Sequence, residues 1–390
     1  MSPRVVSLGL IAFAFNVAGG LIAPALPLYA RSLGATYWDL GVIGASHGFA
    51  FAALAIPLGR ASDRFGRRRF LLASTLAEGI SSACYCFSVR VRGLVVAKLL
   101  QAAASAAFWP ALEAWVAEEF GPRAGAAMGI GYAAFAASFL VGTSAAGFVI
   151  EAAGLRAPFA IAIGTAAATA CLVLSLPGGR AVPRTQRHEA AERPAARPPD
   201  DGAPRRQRLL AYGTGFVYVF GLGTVLAFLP AYAADRGVPP GGVGLLLGTY
   251  YGGRLLASLA AGPMSDRLGR RAVLVPAMLA SVAGAIIVAV PTGVGLLFVG
   301  TAGLGLTAGA CAPTCIGHIA DHVAATHRGM AMGMFESACG LAFILAGLAG
   351  GYTAGAFGDS MPYLLVAGLS LAWMLVLSRG LPRPSGRRPG

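Results

Sequence analysis

Charge is scarce in this chain. Only 12% of its 390 residues are charged and 56% are hydrophobic, which leaves too little polar material to cover a water-soluble body of that size. Lysine is scarcer still: Lys98 stands alone among 30 basic residues, the rest being arginine. The six cysteines (Cys84, Cys86, Cys171, Cys311, Cys315 and Cys339) all fall within apolar runs, where cysteine behaves as a small hydrophobic residue; this excludes an extracellular disulfide framework and predicts free thiols. There is no Walker phosphate loop and no His-Glu-x-x-His zinc pair, so the chain reads as a non-enzyme without cofactor, and any work it does must draw on a gradient. A cleavable secretory signal is also missing. The first apolar run is too long for one and no small-residue cleavage site follows it, so it is expected to stay as the first membrane span.

What is present is a duplication. The segment Gly59-Arg-Ala-Ser-Asp63-Arg64-Phe-Gly66-Arg67-Arg68-Arg69 returns 203 positions later as Gly262-Pro-Met-Ser-Asp266-Arg267-Leu-Gly269-Arg270-Arg271. The same offset carries Gly41 onto Gly244, Pro110 onto Pro313 and Glu118 onto Asp321, so a whole half is repeated. Apolar stretches long enough to cross about 30 Å of hydrocarbon recur twelve times. They are predicted near 5–30, 39–58, 70–89, 93–117, 125–149, 157–177, 209–233, 241–261, 272–290, 293–320, 329–352 and 361–378. The fold class is therefore an all-α membrane protein of two pseudo-symmetric six-helix halves, 1–177 and 209–378, with a linker at 178–208 and a tail at 379–390. The linker holds eight Arg, four acids and five Pro with almost no large apolar residue, a composition that cannot offset chain entropy by burial.

Arginine sets the orientation. With the N-terminus inside, the segments facing the cytoplasm hold Arg4, five arginines between 60 and 69, Arg123, eight between 180 and 208, Arg267, Arg270, Arg271, Arg328 and four in the tail; the opposite side holds five, Arg31, Arg90, Arg92, Arg156 and Arg236. Both termini are thus expected in the cytoplasm of a multi-pass protein of the cell (inner) membrane. The net charge of +14 reads as topology and as attraction to anionic membrane lipids, since arginine blocks that alternate with spans do not make a nucleic-acid surface. A monomer is expected.

Five charges fall inside spans, at a cost of about 2.5–3.5 kcal/mol each at a span centre, and such residues are functional suspects. Lys98 and Arg254 are cationic; Glu78, Glu113 and Glu336 are acidic. Three acids against two bases leave one carboxylate without a cationic partner, which is what a proton carrier needs. Arg254 and Glu336 are candidates to pair within the second half or to meet a charged substrate, and Glu78 reads as structural. Asn16 and His47 are candidate hydrogen-bonding residues of a cavity or glue between helices. Phe108-Trp109-Pro110-Ala-Leu-Glu113 places aromatics beside an acid and a proline that frees a carbonyl, and Tyr250 is a third candidate cavity aromatic. Cys311, Cys315, His318 and His322 fall on one stripe of a helix, but one helix supplies only two ligands to an ion and Pro313 interrupts it, so no metal site is expected. The glycines at 142 and 147, and at 347, 350 and 351, allow helices to approach closely.

Twelve spans, a basic central linker and the pattern Gly-x-x-x-Asp-Arg-x-Gly-Arg-Arg after spans 2 and 8 resemble the major facilitator superfamily of secondary transporters. The resemblance implies alternating access of two halves around a cavity lined by spans 1, 4, 7 and 10, which favours Glu113. It implies a gating role for the loop motif, Gly59, Asp63, Arg64, Gly66, Arg67 and Arg68, with Asp63 reaching the start of span 11 near Arg328 and Gly329; Gly262, Asp266, Arg267, Gly269 and Arg270 repeat the motif in the second half, where Asp266, Arg270 and Arg271 are read as structural. Leu94-x-x-x-Lys98-x-x-Gln101-Ala102 is similar to the span 4 motif of proton-driven drug exporters, Leu-x-x-x-Arg-x-x-Gln-Gly, implied in proton transfer. It departs from that motif at Lys98 and Ala102, and Thr143 stands where exporters carry a proline in span 5. A lysine can release its proton when desolvated and an arginine cannot; the other reading of Lys98 is a side chain snorkelling toward the outer surface. The expectation is a proton-coupled exporter of small amphipathic or hydrophobic compounds. The alternatives are a proton symporter or facilitator that takes up a small polar metabolite, such as a sugar or organic anion, and a nontransporting membrane sensor. Asn, Gln and Trp are too sparse in the cavity spans to pair the hydroxyls of a sugar, which ranks export first.

Overall fold

The computed structural model describes residues 3–120, 124–176, 202–290, 293–323 and 328–381. Twelve helices account for them: α1 (Pro3–Ser32), α2 (Tyr37–Phe65), α3 (Arg67–Phe87), α4 (Val91–Phe120), α5 (Ala124–Ala153), α6 (Ala157–Ser175), α7 (Gly202–Ala234), α8 (Pro240–Leu268), α9 (Arg270–Ala289), α10 (Val294–His322), α11 (Arg328–Phe357) and α12 (Met361–Gly380). Each predicted span falls on one of them. Eleven are long and apolar enough to cross a membrane; α8, with Arg254 and many glycines, has the weakest apolar run. The clearest boundary difference is at α7, which starts at Gly202 and takes in Arg205, Arg206 and Arg208, residues assigned to the linker from their charge. The rest of the linker, the tail beyond 381 and Arg123 lie outside the described residues.

Local chemistry sets the helix ends. Thr36 and Asp39 form a reciprocal capping box at the start of α2: Thr36 Oγ1 accepts from Asp39 N, and Asp39 Oδ2 accepts from Thr36 N. The motif expected to be a loop is almost entirely helix. Gly59 lies inside α2, facing Pro110 Cβ of α4, and Gly262 lies inside α8. Gly66 alone separates α2 from α3, at φ 96°, and Gly269 alone separates α8 from α9, at φ 88°. Only glycine takes that conformation without strain, so a one-residue hinge requires it at both positions.

Around these hinges the arginines hold neighbouring helix ends. Arg67 donates to Ser62 Oγ (2.7 Å) and Arg270 donates to Ser265 Oγ, the same contact in each copy. Arg68 caps the last carbonyls of α6, at Val173 and Leu174. Arg270 also pairs with Asp266 (2.8 Å) and with Asp321 of α10 (2.9 Å). Arg64 lies over the Phe65 ring, and Arg267 is exposed. The side chains of Asp63, Glu118, Glu119 and Arg328 lie outside the described residues.

Helices α1–α6 and α7–α12 meet along two seams, α2 on α11 and α5 on α8. Both are closed by backbone-to-backbone contact at the end opposite the termini. A Cβ on Gly41 would overlap the Gly347 carbonyl, and one on Gly244 would crowd the Thr143 carbonyl and Gly147. Since 41 and 244 are repeat partners, the two seams are the same joint used twice. Arg31 pairs there with Asp235 across the halves (3.1 Å), Tyr37 OH donates to Asp235 (3.0 Å), and Glu151 of α5 accepts from Gly241 N at the start of α8 (2.8 Å). Toward the basic end the halves part. α2 passes from buried Leu40 and Ile43 to exposed Ile56, and α8 from buried Leu246 and Tyr250 to exposed Leu256 and Leu259.

The Arg31–Asp235 pair is about one-third exposed, so Asp235→Asn is expected to loosen the closed end by only about 0.2–1 kcal/mol. Spin labels at Ser32 and Phe357, in a chain stripped of its cysteines, read this as a longer-distance population that grows modestly and no more. All six native cysteines are free thiols, as expected.

Candidate functional site

Between the closed end and the basic end, a row of aromatic rings joins the two halves. Trp109 of α4 meets Phe135 of α5 edge-on (5.6 Å between centroids); Phe135 leans on Phe139 (4.8 Å), Phe139 on Tyr251 of α8 (4.7 Å), and Tyr251 on Tyr250 (5.2 Å). This row of rings crosses from one half to the other. The Arg254 guanidinium sits over Phe135 at 5.3 Å, and its Nη1 is buried without an acceptor. A stacked arginine of this kind gains about 0.5–2 kcal/mol from the ring face.

Each half also contributes an acid, and Glu113 stands one helical turn from Trp109 on the same face of α4. Glu336 of α11 is exposed and lies within electrostatic range of Glu113 on α4. Tyr218 of α7 is within range of both Arg254 and Glu336. Arg254 and Glu336, candidates to pair or to meet a charged substrate, form no ion pair among the described residues; the Arg254 guanidinium lies over the Phe135 ring. The site thus brings together a row of mutually inclined rings, one cation over the Phe135 ring and two carboxylates, one from each half.

Three sequence expectations fail here for one reason. Phe108 is fully buried, stacked on Phe15 at 3.8 Å, and backs the wall without lining the cleft. Tyr250 is buried, edge-on against the equally buried Tyr251, with its hydroxyl unpartnered. Asn16 is buried and donates to the Ala12 carbonyl of its own helix (2.7 Å). In each case the residue type was right for a cavity but the helix turns it into the bundle. Of the three expected aromatics only Trp109 is partly open; Phe135 and Tyr218, which the sequence reading missed, take the other places. A tyrosine near the middle of span 7, at the repeat position of Phe15, was the available signal.

A second cluster lies within the first half. Lys98 Nζ donates to Gln101 Oε1 (2.9 Å), Tyr85 OH donates to the same oxygen (3.2 Å), and Gln101 Nε2 donates to Glu78 Oε1 (3.1 Å). Lys98 therefore turns into the α3–α4 contact and does not snorkel to the surface. Glu78, read as structural from its place on a peripheral helix, is the acid this network holds; it is 2% exposed and its Oε2 has no partner. His47 of α2 is within electrostatic range of Lys98 and packs edge-on against Phe343 of α11 across the seam (6.1 Å). The cysteine and histidine stripe of α10 is used internally: Cys311 and Cys315 are buried, His318 pairs with Gln207 (3.1 Å) and His322 with the His318 carbonyl (2.9 Å).

Comparison with known proteins follows this geometry. The family profile described as Major Facilitator Superfamily matches residues 8–212 and 211–390. Among curated relatives, a transporter of the same superfamily type from Methanocaldococcus jannaschii is 32% identical over 142 residues, covering 36% of each chain. Multidrug resistance protein 2 of Bacillus subtilis is 26% identical over 156 residues, 40% of this chain and 39% of the relative. Quinolone resistance protein NorA of Staphylococcus aureus is 24% identical over 166 residues, 43% of this chain and 42% of the relative. The chain thus spans well under half the length of the curated relatives it matches. Two solved structures share the fold. One is a point mutant of the nucleoside transporter NupG, at TM-score 0.79 and 14% identity, covering 96% of this chain and 99% of that one. The other is a D-xylose-proton symporter at TM-score 0.75 and 17% identity, covering 98% of both.

Proposed function

The chain belongs to the Major Facilitator Superfamily and is a multi-pass membrane transporter of its twelve-helix fold, and on that premise we propose that it exports small amphipathic or hydrophobic compounds in exchange for protons. The observation that carries this reading is the aromatic row of Trp109, Phe135 and Phe139, which ends on the buried Tyr251 of the other half, together with one carboxylate from each half, Glu113 and Glu336, within electrostatic range of each other. Apolar area supplies affinity at about 25 cal/mol per Å², without demanding one shape, and few polar groups converge there to pair the hydroxyls of a sugar. Two resistance proteins among the relatives support the same reading. The chain moves its substrate without altering it, as a monomer, with both termini in the cytoplasm, the basic end at anionic headgroups of the cell (inner) membrane and the cleft open inward. Asp63 gates this opening from the end of α2.

A second reading, uptake of an organic anion, draws support from the unpartnered Arg254 Nη1, a donor in want of an acceptor. Proton release from acid-loaded inverted vesicles separates the two readings. The vesicles are challenged with lipophilic cations, neutral antibiotics, sugars and organic anions. Lipophilic compounds are expected to collapse the gradient in the wild type and at least about tenfold more weakly in Glu113→Gln. A response confined to organic anions overturns the export reading.

A further inference from the structure

The repeat gives the Glu78 cluster a built-in control. Moving 203 positions from α3 and α4 onto α9 and α10 carries Glu78 onto Ser281, Lys98 onto Thr301, Gln101 onto Leu304 and Tyr85 onto Val288. The second half forms the same helices with the same packing partners, α9 on α10 and α12 as α3 on α4 and α6. Ser281 there simply meets Ser370 (2.8 Å). The fold therefore does not need an acid and a base at these positions. A buried carboxylate and a buried ammonium are costly unless fully paired, and this carboxylate is not: Oε1 takes one bond from Gln101 and Oε2 takes none. One turn on, Ser82 Oγ is buried and also without a partner.

We propose that Glu78 is the residue that carries the transported proton, on Oε2, with Gln101 and Lys98 conveying its charge state to the α2–α11 seam. The inference rests on the proton-exchange reading above and names the site of that exchange. In the released state Glu78 is a carboxylate, accepting from Gln101 and balancing the Lys98 ammonium through it. In the loaded state one proton from the outer aqueous phase is bonded to Oε2, and it leaves to the inner phase when the cycle returns; Lys98 keeps its ammonium in both. The cluster thus alternates between no net charge and a single positive charge. That change is felt by His47, which lies beside Lys98 and bears on Phe343 of α11, the helix that must part from α2 when the far end opens.

The groups that face Glu78 are few. α4 brings Lys98 and Gln101, α3 itself brings Tyr85, on which Cys84 also acts, and α2 brings His47 by way of Lys98. α6 presents Phe159 against Tyr85 and Ala166 against Gly79, neither of which titrates. The central-cleft acids Glu113 and Glu336 belong to a separate cluster, so substrate charge and proton charge are held apart. Loading one need not expel the other by direct contact, and coupling runs through the seam.

The test compares wild type, Glu78→Gln and the double variant Glu78→Ser with Lys98→Thr, which installs the residues of the second half. All are full-length and reconstituted in liposomes with tetraphenylphosphonium as the probe. Exchange of labelled for unlabelled probe without a pH gradient is expected to fall less than about threefold in both variants, while gradient-driven accumulation falls at least about tenfold. An independent arm records infrared difference spectra against pH: the carbonyl band of a protonated carboxyl that titrates in the wild type is expected to vanish in Glu78→Gln. Gradient-driven accumulation equal to wild type, or an unchanged band, overturns the proposal, as does loss of exchange in both variants together. A wild type that moves no probe but shows the Glu78 band sinks drug export and leaves the proton site standing.

Discussion

Gly347→Val is expected to hold the far end of the transporter open and to lower transport by one to two orders of magnitude while leaving the protein folded. The added branch points at the Gly41 carbonyl and Ala45 N on α2, so the overlap is with backbone and no rotamer relieves it. Overpacking of this kind costs about 1–3 kcal/mol, and the cost falls only on the state in which α2 and α11 touch. A differential of that size shifts a two-state equilibrium by about 5–150-fold. Folding is spared because α11 also packs on α7 within its own half, away from the seam. Two readings check this: the Ser32–Phe357 label distance lengthens in most molecules, and gradient-driven transport collapses. Gly355→Val, in the same helix but with open space around its added atoms, serves as the control and leaves both unchanged. Gly244→Val tests the symmetric seam and should act in the same direction. Closure with wild-type distances in Gly347→Val would mean that the seam does not govern access.

The contrast between these two glycines also explains what could be read from the sequence. The 203-residue offset and the lengths of the apolar runs carry the architecture, because crossing a bilayer demands a helix of a given length and a duplication leaves its spacing behind. The seams were half legible: Gly41 and Gly244 marked the repeat, the small residues near 142 and 347 marked close approach, and the resemblance linked span 2 to span 11 through Asp63 at the basic end, but nothing paired Gly41 with Gly347 at the other end. The direction of each side chain was not legible at all. These helices are apolar on every face, so no amphipathic stripe separates a lipid side from a cavity side. Phe108, Tyr250 and Asn16 were misplaced for that reason, and Phe135 and Tyr218 were overlooked. Glu78 was visible as a charge within a span, and the surplus of acids over bases pointed to an unpaired carboxylate. What the sequence lacked was the 23-residue separation closing in space, through Gln101, onto Lys98.

That closure sets up the second large effect, a thermodynamic cycle on the buried pair. Lys98→Thr alone removes the only cation that the Glu78 cluster contains and leaves an acid buried among Gln101 and Tyr85. Deleting one member of a buried charged pair destabilises by about 3–5 kcal/mol, because the remaining charge has neither water nor partner. Glu78→Ser alone strands the ammonium and should cost a comparable amount. The double variant is expected to recover most of the loss, since it reproduces the neutral Ser281 and Thr301 arrangement that the second half already folds with. Thermal unfolding in one detergent, at a pH where Glu78 is ionised, reads the cycle as two depressed midpoints and one near wild type, with a coupling energy above about 1 kcal/mol. At lower pH the Lys98→Thr defect should shrink, because a proton on Glu78 then removes the uncompensated charge, while the Glu78→Ser defect should persist. Midpoints that fall additively would show that the two groups act independently, and Gln101 would then be a packing residue instead of the bridge between them.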